Sequence, residues 1–494
     1  MKSRPLLWLS IMLTALSCLE PRAGHAAEPL RIGVAETDIT PPNGYPMSGY
    51  YHERLATGAI DPLKAHAIVF RQGTEQAALV TCDLTGIAKD LSTEVRRIVA
   101  ARTGIPAENL VVAATHSHTA PDYFKDLFNH LGKTGAGGER ARYVTNLIDR
   151  IVDAVVQAHG KAQPGVLAMA SARQETPVSF NRRFVMRDGS VHTWMNLANP
   201  DVVRAAGPID PEIGIVVARA AEGNQPLAVL SNFALHLDTV GGNRWSADYP
   251  FFIERSVREH LGPQVISLFG AGCCGDINHS DPSAKERNKT DMIGGELGKT
   301  IRVGLDRTTI ITNPTLRVRS AVVHAPLREV TDEQLKKSKD ILTIVQSGKP
   351  MDFFQQVEAY RLLMVDQLRQ RRAPAEASRW IGWGLSHTWG GIGKELPLEV
   401  TTFTFGSDLA IVCLPGEVFV DLGLAIKRGS PFRNTLVIEL ANCVETVYIP
   451  TRAAFAGGSY EVTNSACLPG TGEALVEAAL RLLREAATAA VAKP

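Results

Sequence analysis

Two histidines stand two residues apart at the end of an apolar run. His116 and His118 follow the β-branched run Asn109–Ala114 directly. In an extended chain, side chains two residues apart project from the same face. Neutral imidazole is the commonest protein ligand for zinc. The spacing is therefore typical of a metal site, and equally of two hydrogen-bonded histidines in a loop.

A third histidine has a similar position. His236 ends the mostly apolar run Leu227–Leu235, and polar residues follow at Asp238, Ser246 and Asp248. A lone histidine in such surroundings is more often a hydrogen-bonded core residue than a ligand. Its place indicates a strand that delivers one polar side chain to the edge of a sheet.

Glu417 and Tyr448 also come just after strand-like runs or turns. Glu417 follows the run Leu409–Cys413 through a Leu-Pro-Gly turn. The alternative is a carboxylate that stabilises the start of a helix predicted for Val418–Arg428. Tyr448, taken alone, is most simply a packed aromatic residue.

Together these positions predict a bound metal ion. Three protein ligands, His116, His236 and Glu417, would leave an open position, as in catalytic zinc sites. Such a metal lowers the pKa of bound water to about 7 and polarises a substrate carbonyl. The glycine-rich segment 270–278 is a tight turn, because it lacks the Gly-Lys-Ser/Thr ending of a phosphate-binding loop.

The elements that must position these residues alternate between strands and helices. Strands are predicted at Ala65–Phe70, Ala77–Cys82 and Asn109–Ala114, with a helix over Leu91–Arg102 between the last two. This alternation predicts an α/β fold of mixed β-sheets flanked by helices. The further predicted elements are helices at Arg140–His159 and Gly472–Ala490 and strands at Leu227–Leu235, Gln264–Phe269, Leu398–Phe405, Leu409–Cys413 and Thr435–Glu439.

The segment 326–395 has a different character. Two charged amphipathic stretches, Asp332–Gln346 and Asp352–Gln370, predict a helical hairpin inserted in the fold. Because no internal repeat or flexible linker is visible, residues 27–494 are expected to form a single large catalytic domain.

The first residues are typical of a secretory signal peptide. Lys2 and Arg4 precede the apolar run 6–16, and small residues follow before an expected cleavage after Ala26. The apolar run is shorter than the ~20 residues that a membrane span needs. The protein is therefore expected to be secreted or periplasmic, and a lipid anchor at Cys18 is the less favoured alternative.

Composition excludes several classes of protein. The 494 residues are 45% hydrophobic and 21% charged, with a formal net charge of +1. These values are typical of a globular protein and provide no basic surface for nucleic acid. The six cysteines beyond the signal peptide form no C-x-x-C pair, which disfavours a cysteine zinc site. Several of them lie in apolar runs and are expected to be buried, and their disulfide pairing is not predicted. No later stretch predicts a membrane span.

The order of these motifs resembles the neutral/alkaline non-lysosomal ceramidase family. Five stretches match its catalytic region in chain order: 114–121, 233–236, 275–278, 415–417 and 448–451. The Asn-Arg-Arg element at 181–183 and the Tyr-Glu pair at 460–461 match two further family elements.

The resemblance implies a zinc amidohydrolase that cleaves the N-acyl bond of ceramide to give sphingosine and a fatty acid. It implies one zinc ion per chain, with ligands at His116, His236, Glu417 and Tyr448. Tyr448 as the fourth ligand follows from the resemblance alone. It also implies catalytic roles for three further residues, His118, Arg182 and Tyr460.

These implied roles make chemical sense. Arg182 and Tyr460 would donate hydrogen bonds to the oxyanion, and His118 would carry a proton to the leaving amine. The substrate would be a lipid-like N-acyl amide, which leaves open a peripheral contact with membranes. The oligomeric state is not predicted.

Three departures from the family pattern keep other substrates open. The family's immunoglobulin-like C-terminal domain is not expected here, and its Gly-Asp-x-Ser-Pro turn reads Gly275 to His279 with Asn278 at the serine position. The predicted hairpin would reshape the substrate entrance. The alternatives are a hydrolase of another amide or an ester, or a non-catalytic envelope binding protein of the same fold. An amidohydrolase barrel is disfavoured by the irregular strand spacing, and a serine hydrolase by the lack of a G-x-S-x-G motif.

Overall fold

The computed structural model describes residues 28–133 and 138–491. The signal peptide predicted for residues 1–26 lies outside these ranges. The α/β class predicted from the sequence is confirmed, with mixed sheets flanked by helices. The predicted helices and strands named above are found with their ends shifted by no more than three residues.

A large sheet forms one half of the fold. It combines antiparallel pairs with parallel pairs at both ends, so it is mixed. Within the described residues its strands run, in spatial order, Ile266–Ala271, Pro226–Phe233, Glu212–Ala220, Gln163–Arg173, Arg31–Asp38, Lys64–Gln72, Glu75–Cys82 and Leu110–Ala114, with Thr309–Ile310 pairing beside Gln163–Arg173.

A second, smaller sheet packs against the first. Its last two strands are parallel and its other pairs are antiparallel. In spatial order its strands are Leu316–Pro326, Glu395–Phe405, Leu409–Cys413 and Asn434–Ile438. Short strand pairs complete the fold: Pro46–Met47 with Arg54–Leu55, Phe180–Asn181 with Ile277–Asn278, Glu417–Val418 with Tyr448–Ile449, and Arg183–Met186 with Val191–Thr193 and Val202–Ala205.

Helices cover the outer faces of both sheets. Their bounds are Lys89–Thr103, Phe124–Leu131, Glu139–Gly160, Tyr249–Leu261, Thr290–Leu305, Asp332–Gln346, Phe353–Gln370, Pro374–Trp380, Val420–Gly429, Ala454–Gly457, Tyr460–Thr463 and Thr471–Val491, with a short 3-10 turn at Ala107–Asn109.

Alternate residues of the central strands face two different cores. In the strand Lys64–Gln72, Val69 packs in the core that includes the helix Glu139–Gly160. Its neighbour Phe70 points the other way and packs against Phe405 of the smaller sheet, with ring centroids 4.8 Å apart. Side chains alternate between the two faces of a strand. One face of the large sheet therefore packs on the smaller sheet, and the other face packs on helices.

Three groups of helices complete the outer layers. The helices Tyr249–Leu261 and Thr290–Leu305 pack on the large sheet around Val217 and Val229. The helix Thr471–Val491 packs on the smaller sheet. The two helices Asp332–Gln346 and Phe353–Gln370 contact each other.

All six cysteines in the described residues are buried and unpaired. Among those same residues, no helix combines the length and apolar character that crossing a bilayer requires.

Candidate functional site

The site forms where the loops after several strands are joined by backbone hydrogen bonds. The His116 amide donates to the carbonyl of Leu84, and the His118 amide donates to the carbonyl of Leu237, both over 2.9 Å. These bonds bring the loop after the strand Leu110–Ala114 beside the loop that carries His236. Residues 120 positions apart in sequence thereby reach the same point.

The rings of His116 and His236 are fixed by backbone carbonyls. His116 Nδ1 lies 2.6 Å from the Thr85 carbonyl oxygen, and His236 Nδ1 lies 2.9 Å from that of Cys274. A carbonyl oxygen only accepts, so each Nδ1 carries the proton and each Nε2 presents a lone pair. Both histidines are about 1% exposed.

These lone pairs converge on one oxygen atom. The two Nε2 atoms are 3.1 Å apart, and Glu417 Oε2 lies 3.4 Å from His116 Nε2 and 3.5 Å from His236 Nε2. Glu417 Oε2 is buried and has no hydrogen-bond partner among the described residues. Lone pairs this close repel one another unless a cation lies between them, so the residues fit a metal ion.

The protonation states also suit a metal. Burial lowers the pKa of His236, and the Arg182 charge lowers it further. Burial alone would raise the pKa of Glu417, but His116 and His236 hold it well below its ordinary value. Neutral imidazole and ionised carboxylate are the forms that bind metals.

Glycines allow the Glu417 loop to approach its neighbours. Gly416 has a φ of +68°, and a Cβ there would lie 2.0 Å from Thr446 Oγ1. A Cβ on Gly275 would lie 2.7 Å from the Glu417 carbonyl oxygen. Glu417 itself belongs to a two-residue strand, and the following helix begins only at Val420. The helix-start alternative for Glu417 is therefore wrong.

Two residues at the site have backbone angles in the left-handed region. His116 has a φ of +83° and Val447, which precedes Tyr448, has a φ of +52°. A β-branched residue in the left-handed region is unusual and costs energy. Strained backbone of this kind is found mainly at functional sites, where the surrounding structure holds a side chain in a required position.

His118 is the third nitrogen ligand candidate. Its Nε2 lies 3.3 Å from His116 Nε2, and its ring nitrogen lies within 4.8 Å of those of His116 and His236. Its Nδ1 is buried without a partner among the described residues. Burial, followed by the neighbouring His116, holds the pKa of His118 well below its ordinary value, which keeps the ring neutral.

Tyr448 is held beside Glu417 by sheet pairing and by Arg182. The strands Glu417–Val418 and Tyr448–Ile449 pair in parallel. Arg182 Nη2 donates to the Tyr448 hydroxyl over 3.0 Å and to the Gly275 carbonyl over 2.8 Å. Arg182 Nε donates to Glu461 Oε1 over 2.8 Å, and the Glu461 side chain is 0% exposed. The guanidinium, itself fixed by Glu461, therefore holds the Tyr448 hydroxyl in position through a hydrogen bond.

Tyr460 lies on the wall of a cavity of about 310 Å³ that reaches the metal candidates. The wall also includes His116, His118, Glu417 and Tyr448. Among the described residues that form this wall, Arg182 does not appear. Arg182 is thus placed to orient Tyr448. The sequence had predicted instead that Arg182 faces the cavity and contacts the substrate.

Sequence reasoning missed the groups that orient these side chains. The Thr85 and Cys274 carbonyls are backbone atoms, which carry no residue-type signal. Thr85 does follow the strand Glu75–Cys82, and that position could have drawn attention to it. The Gly-Asp-Ile-Asn turn is structural, because Asp276 accepts hydrogen bonds from Asn181 Nδ2 and the Val420 amide.

A second cluster of metal-ligand types is occupied by cations of the protein itself. Glu36, His66 and Glu254 place ligand atoms within 4.8 Å of one another. However, Lys64 Nζ lies 3.1 Å from Glu36 and 2.7 Å from Glu254, and Arg258 contacts both carboxylates at 2.7 Å. The cluster is therefore an ion-pair network.

Glu254→Gln is expected to lower the free energy of unfolding by about 2 kcal/mol at pH 7. Burial alone would raise the pKa of Glu254, but His66 and Lys64 lower it to about 2 from its ordinary 4.5. A carboxyl with a lowered pKa stabilises the fold above pH 4.5 and loses this contribution as the pH falls towards 2. Urea titrations should show that the difference in unfolding free energy between the variant and the wild type is smaller at pH 3 than at pH 7. An equal difference at both pH values would mean that the charge of the Glu254 carboxylate does not stabilise the fold.

The comparisons with known proteins agree with the motif order. Residues 30–246 match the family model described as "Neutral/alkaline non-lysosomal ceramidase, N-terminal". This range includes His116, His118, Arg182 and His236. Comparison with curated proteins gives no match.

Two solved structures share the fold. The neutral ceramidase from Pseudomonas aeruginosa superposes with a TM-score of 0.66 at 20% identity, over 93% of this chain and 75% of that chain. A structure described as "Ceramidase complexed with C2" gives 0.66 at 19% identity, over 93% and 76%. The resemblance predicted from the motifs is confirmed, because residues 30–246 match the model of the N-terminal region of neutral/alkaline non-lysosomal ceramidases.

Proposed function

We propose that this protein is a zinc-dependent amidohydrolase that cleaves the N-acyl amide bond of ceramide or of a related N-acyl lipid. The observation that carries the proposal is the convergence of His116 Nε2, His236 Nε2 and Glu417 Oε2 beside a cavity that His116 and Glu417 line. The family match and the fold shared with two ceramidases support the choice of reaction.

The ligands would be His116, His236 and Glu417, with the Tyr448 hydroxyl as the fourth. A set of nitrogen and oxygen donors suits zinc, and softer sulfur ligands are not part of it. When bound, zinc supplies a Lewis acid that polarises the amide carbonyl and makes water a stronger nucleophile.

The protein's own residues handle the charge that develops. Tyr460 is part of the cavity wall, and its hydroxyl would donate to the carbonyl oxygen as it becomes an oxyanion. Arg182 is a positioning residue that holds the Tyr448 hydroxyl. His118 shares the wall, and its neutral ring would accept the proton that the attacking water loses and pass it to the leaving amine.

The cavity wall suits a lipid-like substrate. Its apolar residues include Tyr360, Met364, Trp380 and Trp383, which belong to the segment 326–395. An acyl chain gains about 0.8 kcal/mol for each methylene buried against such a wall. We propose that this segment is an insertion that shapes the substrate entrance, and that residues 27–494 act as one catalytic domain.

The expected place of action is outside the cytoplasm. The charged start, short apolar run and small residues of 1–26 support secretion or a periplasmic location. An N-terminal sequence of the protein purified from its native cells, beginning near Ala27, would test this.

Metal content and hydrolysis of a substrate panel test the proposed function together. Purified full-length protein should contain about one zinc ion per chain and release dodecanoate from N-dodecanoylsphingosine. Chelation should stop the release, and zinc should restore it. The panel includes N-dodecanoyl amides of simple amines and an ester of dodecanoate. If the zinc-loaded protein hydrolyses only the ester, it is an esterase, and if it hydrolyses nothing, the binding-protein alternative gains support.

A further inference from the structure

A buried arginine on the cavity wall has no carboxylate partner. Arg361 lies on the helix Phe353–Gln370, is 5% exposed and lines the same cavity as His116 and Glu417. It comes from the segment 326–395, outside the motifs that carry the family resemblance. Nothing in the proposed reaction yet uses it.

The contacts of Arg361 leave its charge uncompensated. Its Nε lies 3.1 Å from Asn464 Oδ1, which Nη2 also contacts, and its Nη1 faces Met364 Sδ at 2.7 Å. An amide oxygen is a neutral acceptor and a thioether is a weak one, whereas a guanidinium has five N–H donors. Within residues 28–133 and 138–491, no carboxylate oxygen lies within ion-pair distance of Arg361.

Most other buried arginines of the described residues contact a carboxylate, and the exception, Arg54, donates to three backbone carbonyls. Arg182 contacts Glu461, and Arg96 forms a two-pronged contact with Glu399 at 2.7 and 2.8 Å. A buried charge without such a partner is unfavourable for folding. A fold that keeps Arg361 unpaired beside a cavity is therefore typical of a group whose partner is a ligand.

The carboxylates of the cavity wall leave Arg361 without an ion-pair partner. They are Glu53, Asp122 and Glu417, and none of them pairs with Arg361. Glu417 is committed to the metal in the proposed function. An anionic group of the substrate would supply the missing partner, whereas ceramide carries no charge.

We propose that Arg361 binds an anionic group of the substrate, so that the preferred substrate is an N-acyl amide bearing a carboxylate or a phosphate. This inference rests on the proposed amide hydrolysis and names its substrate class. Asn464 is the positioning residue: its Oδ1 accepts from Arg361, and its Nδ2 donates to the Tyr51 hydroxyl over 2.7 Å. A planar guanidinium held at one edge can still present its remaining N–H groups to a carboxylate or phosphate.

The test compares matched substrates. N-dodecanoylglycine carries a carboxylate where N-dodecanoylglycinamide carries a neutral carboxamide of similar size, and ceramide 1-phosphate and ceramide form a second pair. The zinc-loaded full chain should show a higher kcat/KM for the anionic member of at least one pair, which identifies the carboxylate or the phosphate. Arg361→Gln should reduce that preference about 30-fold or more, because it removes one partner of a buried charge pair. Arg361→Lys, which keeps the charge, should retain part of it.

Arg369→Gln is the matched control. Arg369 lies on the same helix, donates to the Leu327 carbonyl over 3.1 Å and is absent from the described cavity wall. Its replacement should leave the preference unchanged. Equal kcat/KM values within both pairs for the wild type, or an unchanged preference in Arg361→Gln, would overturn the inference.

A binding measurement separates this inference from the proposed reaction. The ketone in which a methylene replaces the amide NH of N-dodecanoylglycine cannot be hydrolysed. Calorimetry with the zinc-loaded wild type should show tighter binding of this ketone acid than of its carboxamide. If that difference is present while no amide is hydrolysed, the proposed reaction is wrong and the anion site stands. If amides are hydrolysed and the difference is absent, the anion site is wrong and the reaction stands.

Discussion

His236→Ala is expected to remove the bound zinc and to lower amide hydrolysis about 100-fold or more. The imidazole is buried, and its Nε2 faces both His116 Nε2 and Glu417 Oε2. Loss of even an outer hydrogen-bond partner of a metal ligand costs ~10–100-fold, so loss of a ligand should cost at least as much. Zinc content by mass spectrometry and the rate of fatty acid release measure the two effects.

His324→Ala is the control for this prediction. Its side chain is 66% exposed and lies on the smaller sheet, away from the cavity. The control should keep both zinc and activity. His236→Ala protein that is folded by circular dichroism and still holds one zinc ion with full activity would remove His236 from the metal site.

Arg182→Met is expected to lower the free energy of unfolding by about 3–5 kcal/mol while zinc stays bound. The change leaves the Glu461 carboxylate, which is 0% exposed, without its closest cation. Removing one partner of a buried ion pair typically costs this much, because a charge is left uncompensated. Arg183 remains 3.5 Å from Glu461, so the lower end of the range is expected. Urea denaturation measures the change.

The double variant Arg182→Met/Glu461→Gln separates stability from function. It should recover part of the stability, because the buried Glu461 charge is removed together with that of Arg182, while Arg183 keeps its hydrogen bonds to the Ala454 and Gly458 carbonyls. Its turnover should stay below that of the wild type, because the Tyr448 hydroxyl still lacks its donor. Equal instability in the single and double variants would show that Arg182 and Glu461 are not coupled. Zinc loss in Arg182→Met would show that Arg182 does more than position Tyr448.

Local pattern was enough to predict most elements that carry the site. The strand Leu409–Cys413 and the helix Asp332–Gln346 are found with their predicted bounds. The first is a short continuous apolar run, and the second has apolar residues at helical spacing. The rule that polar side chains after strand ends meet at an edge also located His116, His236 and Glu417. Their convergence is confirmed as geometry, whereas their roles as zinc ligands stay a prediction.

The orientation of the side chains at the site depends on partners that are remote in sequence. Arg182 was expected to face the substrate carbonyl, but it is directed towards Tyr448 by Glu461, which lies 279 positions further along the chain. Likewise, Arg361 looked like one of many charges on an amphipathic helix. Only its burial against Asn464 distinguishes it from the exposed cations of that segment. Periodicity predicts which face of an element is buried, but not which buried group a side chain meets.

Anomalous diffraction from crystals of the zinc-loaded protein tests the central claim most directly. The account predicts a peak at the zinc absorption edge among His116 Nε2, His236 Nε2 and Glu417 Oε2, at about 2.0–2.2 Å from each. A peak at Glu36, His66 and Glu254, or no peak in protein that hydrolyses N-acyl amides, would contradict it.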